Sequence, residues 1–412
     1  MAEVFRHQDG LASSMGDVLG ILEKWRHSPP PDDLDGAVAE LEAAFRFLKG
    51  AEGSMCASVR LGLAMVLGNL HRDAGNTEQA LQAYDRGAQE SVDLSENPAR
   101  NEMANLHTNR AIALLGVMDA ARALEDLEKA IRLRESLPLD EEPVFRWGFA
   151  AGWINRGDAL RMLSRHDEAV ASYQRGLQEL EPLEPGEAVK WRRAVAWNNR
   201  GLALRELARE EEAMASFAKS IDELEGGEEP RAVIARSAAM LHRGDDPQQV
   251  LAIVSPLERQ SAEAAEVSLK ARHGLARRLC DKLGGSEGDW IADATDLVEE
   301  GLELERAWET AGVESMRPVA CDLFRLGLRV YRICQPQFLA EFVLESLDPE
   351  VSDGAPVDDP HFQAAAVEEV GRALRESLER GVSGERGEKE LAIGKSLRAA
   401  DERLAALITS RA

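Results

Sequence analysis

The sequence predicts an all-α fold, an α-solenoid of stacked antiparallel helical hairpins closed by helical caps. Three observations carry that expectation. One pattern is written four times between about Ala64 and Ile221. Its copies follow one another at a steady forty-odd residues. The composition suits helix: 44% of the 412 residues are hydrophobic, only 5% are aromatic, and no apolar–polar alternation of strand type stands out.

The third copy reads Trp153-Ile154-Asn155-Arg156-Gly157, then Leu160, Ala169, Tyr173 and Gly176. The fourth reads Trp197-Asn198-Asn199-Arg200-Gly201, then Leu204, Ala213, Phe217 and Ser220. The second runs through Asn109, Arg110, Ala111, Leu114, Ala123, Leu127 and Ala130, and the first through Gly68, His71, Ala80, Tyr84 and Gly87. The small residue and the later alanine are twelve apart in every copy: Gly68 and Ala80, Ala111 and Ala123, Gly157 and Ala169, Gly201 and Ala213. A small residue in one helix lets a second helix come close, and the alanine and the large residue four later share a face of that second helix. Such a hairpin cannot cover its own apolar face, so neighbours stack on it.

These marks, recurring in register, resemble the tetratricopeptide repeat family. The family's usual period is about 34 residues. Here Ala80, Ala123, Ala169 and Ala213 step by 43, 46 and 44, which is similar to the longer-helix variety of kinesin light chains and of many bacterial regulators. The resemblance implies a right-handed superhelix, with hairpin helices lengthened by a turn or more at about 1.5 Å per residue.

In chain order, residues 12–27 form an amphipathic helix carrying Leu19, Ile21, Leu22 and Trp25, and Pro29-Pro30-Pro31 ends it. Asp32-Asp33 cap a helix in which Ala37, Leu41 and Ala44 take the second-helix marks. Residues 1–50 are therefore an N-terminal capping hairpin, and 51–225 hold the four consensus repeats. The turn Glu225–Pro230 opens a divergent stretch, 226–348. There the expected hairpins pair 231–243 with 247–259, 262–283 with 290–308 across Gly284–Gly288, and a helix from Pro318 to Ile333 with one carrying Ala340, Leu344 and Leu347. Divergent repeats and a separate bundle read alike at this point. Residues 349–412 comprise a Pro-, Asp- and Gly-rich linker, from Asp348 to Pro360, and two helices at 361–380 and 387–409. These cap the solenoid or serve as an arm for homo-oligomers.

Net charge is −25, from 74 acids against 49 bases. That argues against nucleic acid, whose phosphates need a basic face. It describes a well-solvated helical surface or an acidic surface drawing a basic partner. Cys56, Cys280, Cys321 and Cys334 form no CxxC pair and read as reduced thiols. Met1–Arg6 lack a basic-then-apolar leader and no run reaches the ~20 apolar residues of a membrane span, so the expected location is cytoplasmic and away from membranes.

No metal or cofactor is expected. The eight histidines are scattered, with no HExxH, GxSxG or GxGxxG, and Gly394-Lys395-Ser396 lacks the glycine a phosphate loop needs five residues earlier, where Lys389 stands. The pointed feature is an asparagine row, Asn109, Asn155 and Asn199, each two residues before the small mark. The same stripe continues at Asp158 and Met162, and at Leu202 and Glu206. A carboxamide donates and accepts as a peptide unit does. In the resembled family this stripe faces the concave groove and asparagine there holds an extended peptide, though the same spelling also serves to bond a neighbouring helix. Arg161 and Arg205 flank the stripe as candidates for a ligand carboxylate or acidic side chain, and Asn198, seven residues before Arg205, shares its face. Arg110, Arg156 and Arg200 read as inter-repeat ion pairs to second-helix acids, and Trp147 with Trp191 and Trp153 with Trp197, 44 apart in each case, as packing. The implied function is a non-enzymatic scaffold gripping a protein or peptide. Alternatives are a peptide-responsive regulator that sequesters a target, or a kinesin-light-chain-like partner of a bacterial cytoskeletal polymer.

Overall fold

The computed structural model describes residues 12–26, 31, 33–281, 290–311, 313, 315–347, 360–382 and 387–411. Among them every regular element is a helix. The expected linker at 348–359 and the turns at 284–288 and 383–386 lie outside the described residues. The chain divides into two compact units, Met1–Leu224 and Glu225–Ala412.

In the first unit, α1 (Met15–Arg26) and α2 (Leu34–Phe47) form the opening hairpin. Four more follow: α3 (Ser54–Asp73) with α4 (Thr77–Ala88), α5 (Asn97–Gly116) with α6 (Ala120–Glu135), α7 (Pro143–Met162) with α8 (His166–Leu180), and α9 (Glu187–Glu206) with α10 (Glu210–Glu223). Each second helix packs on the next hairpin's first, and α3, α5, α7 and α9 lie side by side in one layer. All four of those first helices are 20 residues long, about 30 Å, so the long period is stored there. The second helices stay short, at 12, 16, 15 and 14 residues.

Local chemistry sets the boundaries. Asp33 and Asp119 cap α2 and α6 by accepting from the amides of Gly36 and Arg122. Pro98 and Pro143 sit in the first turns of α5 and α7, where no N–H is needed. The corner inside each hairpin is left-handed, at Gly75, Met118, Ser164 and Ala208 (φ 78°, 60°, 58° and 55°). The next amide closes back on the helix in all four, from Asn76 to His71, Asp119 to Leu114, Arg165 to Leu160 and Arg209 to Leu204, at 2.8–2.9 Å. This is a Schellman-type stop, and only the first copy gives it a glycine.

The twelve-and-sixteen spacing has a steric cause. A Cβ on Gly68, Gly157 or Gly201 would stand 2.3, 2.5 and 2.5 Å from the rings of Tyr84, Tyr173 and Phe217. In the second hairpin the slimmer Leu127 stands in the aromatic's place, and the small mark can be Ala111. The marks Ala80, Ala123, Ala169 and Ala213 are all fully buried. In the opening hairpin Val18, Ile21 and Leu22 face the core, whereas Leu19, expected inside, is 39% exposed; the stripe is shifted by one residue.

The second unit contains α11 (Pro230–Arg243), α12 (Pro247–Val254), α13 (Ala262–Cys280), α14 (Trp290–Thr310), α15 (Arg317–Cys334), α16 (Leu339–Leu347), α17 (Pro360–Val382) and α18 (Gly387–Arg411). The helix expected to run to 259 gives way at Val254 to a 3-10 turn, Ser255–Leu257, because Pro256 has no N–H to donate. Within this unit α11, α13, α15 and α17 contact one another in succession and α16 packs on α18, the order of stacked hairpins. One core joins Leu269, Val298, Phe324, Val343, Phe362 and Leu404. Cys280 and Cys321 are buried, Cys56 and Cys334 half-buried, and none of the four is in a disulfide.

Candidate functional site

A cavity of about 590 Å³ opens along the first-helix layer of the first unit. Its walls come from α3 (Met65, Asn69), α5 (Asn105, Thr108, Asn109, Ile112, Leu115), α7 (Trp147, Gly148, Ala151, Ile154, Asn155, Asp158) and α9 (Trp191, Arg192, Val195), with Arg134 of α6 reaching in from behind. Of the sequence-derived residues, Asn109, Asn155 and Asp158 line this cavity; Asn198, Asn199, Arg161 and Arg205 do not.

The three asparagines have unequal surroundings. Asn109 Nδ2 donates to Asn69 Oδ1 of the preceding hairpin at 3.0 Å, and the Tyr84 hydroxyl donates to the same oxygen at 2.7 Å. Asn199 Nδ2 donates to Asp158 Oδ1 at 2.9 Å, and the Tyr173 hydroxyl to that oxygen at 2.7 Å. Asn69 and Asp158 each follow the small mark by one residue. The corresponding residue of the second hairpin is Ile112, and that hairpin has Leu127 in place of the tyrosine. Asn155, the next amide along, therefore finds no hydrogen-bond partner among the described residues, and it faces the cavity beside Ile112. Two amides of the row are spent on bonding the neighbouring helix, and the third is not.

Asn198 Nδ2 donates to Asn199 Oδ1 at 3.3 Å, extending that chain of bonds. Arg205 lies 3.6 Å from Glu210 and over the Phe217 ring at 4.7 Å. Arg161 faces Tyr173 and Asp158. Burial raises the Asp158 pKa, against the pull of its Tyr173 and Asn199 donors and the Arg161 and Arg192 charges. Of the arginine row, Arg110 bridges Asp126 of its own hairpin and Asp85 of the preceding one, both at 2.6 Å. Arg156 donates to Ser172 at 2.6 Å and lies 3.7 Å from Glu128 of the preceding hairpin. Arg200 departs from the expected acid partner and donates to the Ser216 hydroxyl at 2.6 Å.

Sequence reasoning missed Asn69, Asn105, Arg134, Trp147, Trp191 and Arg192 as cavity residues. The two tryptophans were legible as a ladder but read as packing; both line the cavity, and Trp147 also packs against the core. Arg134 stands eleven residues after Ala123, where the third and fourth copies have the buried Leu180 and Leu224. An arginine in a buried leucine position was the available signal. Its guanidinium, 1% exposed, donates to Asn101 (3.3 Å), Thr108 (3.1 Å) and Asn105, and burial pushes its pKa down to about 10.

Among the described residues no group of His, Cys, Asp and Glu is placed to hold a metal ion, and no helix is long and apolar enough to cross a membrane.

The fold and its amide-lined first-helix layer define an α-solenoid of tetratricopeptide repeats. Residues 194–223, spanning most of α9 and all of α10, match the model of the tetratricopeptide repeat. No curated protein matches the chain. Among solved structures, the chain is similar to the apo form of the quorum sensor NprR from B. thuringiensis, at 14% identity and TM-score 0.46, over 95% of this chain and 99% of that one. It is similar to a Rap protein complexed with Competence and Sporulation Factor, at 13% identity and TM-score 0.46, over 95% and 99%. It is also similar to BtubC (BKLC) from P. vanneervenii, at 19% identity and TM-score 0.38, over 56% of this chain and 91% of that one.

Proposed function

We propose that the first unit is a non-enzymatic scaffold that grips an extended peptide segment of a partner protein along α3, α5, α7 and α9. The observation that carries the reading is Asn155. Its carboxamide, able to donate to and accept from one peptide unit, faces a 590 Å³ cavity with no partner of its own. Asn105, Asn109 and Thr108 add polar contacts, and Ile112, Leu115, Ile154 and Trp147 supply apolar wall, the mixture that binding sites use.

The test uses peptides selected against the full chain and measures their affinity for variants. Asn155→Ala removes the free amide and is expected to weaken binding about five- to tenfold, the worth of roughly 1 kcal/mol. Ile112→Asn places an acceptor where Asn69 and Asp158 stand in the other hairpins, so that Asn155 is satisfied internally. It is expected to weaken binding by a similar factor while leaving the thermal midpoint unchanged or raised. Unchanged affinity in both variants rules the groove out.

A further inference from the structure

The charged side chains lining the cavity are Arg134, Asp158 and Arg192. Asp158 and Arg192 attract each other across it. Arg134 has no such balance: its hydrogen bonds go to Asn101, Asn105 and Thr108, all neutral, and no carboxylate lies within ion-pair distance among the described residues. A guanidinium buried to 1% exposure without a counter-charge costs several kcal/mol in a folded chain. Its position is built: a Cβ at residue 148 would stand 2.7 Å from Arg134 Nε, so Gly148 clears the space it occupies. The adjacent Trp147 carries the Arg192 guanidinium 4.6 Å over its ring.

We infer that the groove takes a peptide whose acidic side chain, an Asp or Glu within the segment, seats on Arg134 against Trp147. One carboxylate balances the cavity's single excess positive charge. The cavity walls extend past Arg134 in both directions, to Met65 on α3 and to Val195 on α9, so the chain of the ligand continues on either side of the seated residue. That geometry suits a side chain rather than a peptide terminus. The site's preference is thus an acidic group, although the whole-chain charge of −25 leaves a basic partner as one reading.

The inference rests on the groove reading above, and the test separates them. Random peptides are displayed with their C-termini consumed by the linkage to the carrier and selected on the full-length protein. The expected result is an Asp or Glu at one fixed position of the selected peptides. Replacing that residue by Asn or Gln should lower affinity for the wild-type chain about tenfold or more. Arg134→Met should erase the difference between the acidic and amide peptides; if that variant does not fold, the peptide pair measured on the wild-type chain decides alone. Peptides that bind in an Asn155-dependent way without an acidic preference overturn the inference and leave the groove reading standing. So do peptides whose binding requires a free C-terminal carboxylate. Failure to select any Asn155-dependent peptide overturns both.

Discussion

Asp126, 1% exposed on α6, accepts from Arg110 Nε at 2.6 Å and lies 3.2 Å from His107 Nδ1. Burial alone would raise its pKa, but the bonds from His107 and Arg110 and their charges outweigh that and hold it at about 2. A depressed carboxylate pKa contributes stability above the unfolded value and loses it as pH falls through the folded one. The contribution, up to about 2 kcal/mol, is therefore complete above about pH 4 and gone by about pH 2. Asp126→Asn should be less stable than wild type in urea at neutral pH, with the gap closing through that acid window; a gap constant with pH contradicts the account. At this scale the sequence revealed which asparagines share a stripe but not which are free. The deciding residues, Asn69, Ile112 and Asp158, lie one place past the small mark on the preceding hairpin, and their role shows only once helices are laid side by side. Arg110 was legible because its partners, Asp85 and Asp126, are acids of second helices; Arg200 was not, because a serine hydroxyl gives no charge signal.

The hairpin corner carries its own lesson. Met118, Ser164 and Ala208 hold the left-handed conformation that Gly75 holds in the first copy. A Cβ there costs about 1–2 kcal/mol, part of which glycine returns through a more disordered unfolded chain. Ala208→Gly should raise stability by about 0.5–1 kcal/mol, read as a shift in urea midpoint with unchanged slope; a loss of stability would show that the Cβ packs usefully. The helices themselves were readable to within a few residues, since small mark, alanine and aromatic fix which faces meet. The corners were not, because three of four use residues with no preference for the left-handed conformation. In the second unit the α12 boundary was misjudged at Pro256, where an apolar stripe continued past a residue that cannot donate.

At the level of the whole molecule, each unit has its own core: the second unit's runs from Ala265 to Leu404, and those of the first lie within Val18 to Phe217. Between them Glu225, Gly226, Glu228, Glu229 and Pro230 are exposed, and Gly226 is left-handed. A glutamate-directed protease used sparingly should cut first at 225–229 and leave two fragments that each keep helical circular dichroism; initial cleavage inside α3–α10 would contradict that division. The solenoid was legible because its beat survives substitution. The cavity's local charge was not, since it turns on one buried arginine, Arg134, in a chain of net charge −25.

The uneven amides also have a mechanical meaning. In the first-helix layer, carboxamide bonds cross from α3 to α5 and from α7 to α9, while the seam between α5 and α7 has none at that register. The middle seam thus carries one carboxamide bond fewer than the seam on either side. A peptide held as proposed across Asn155 would supply the missing stitch, so the ligand would be part of the seam as well as a cargo.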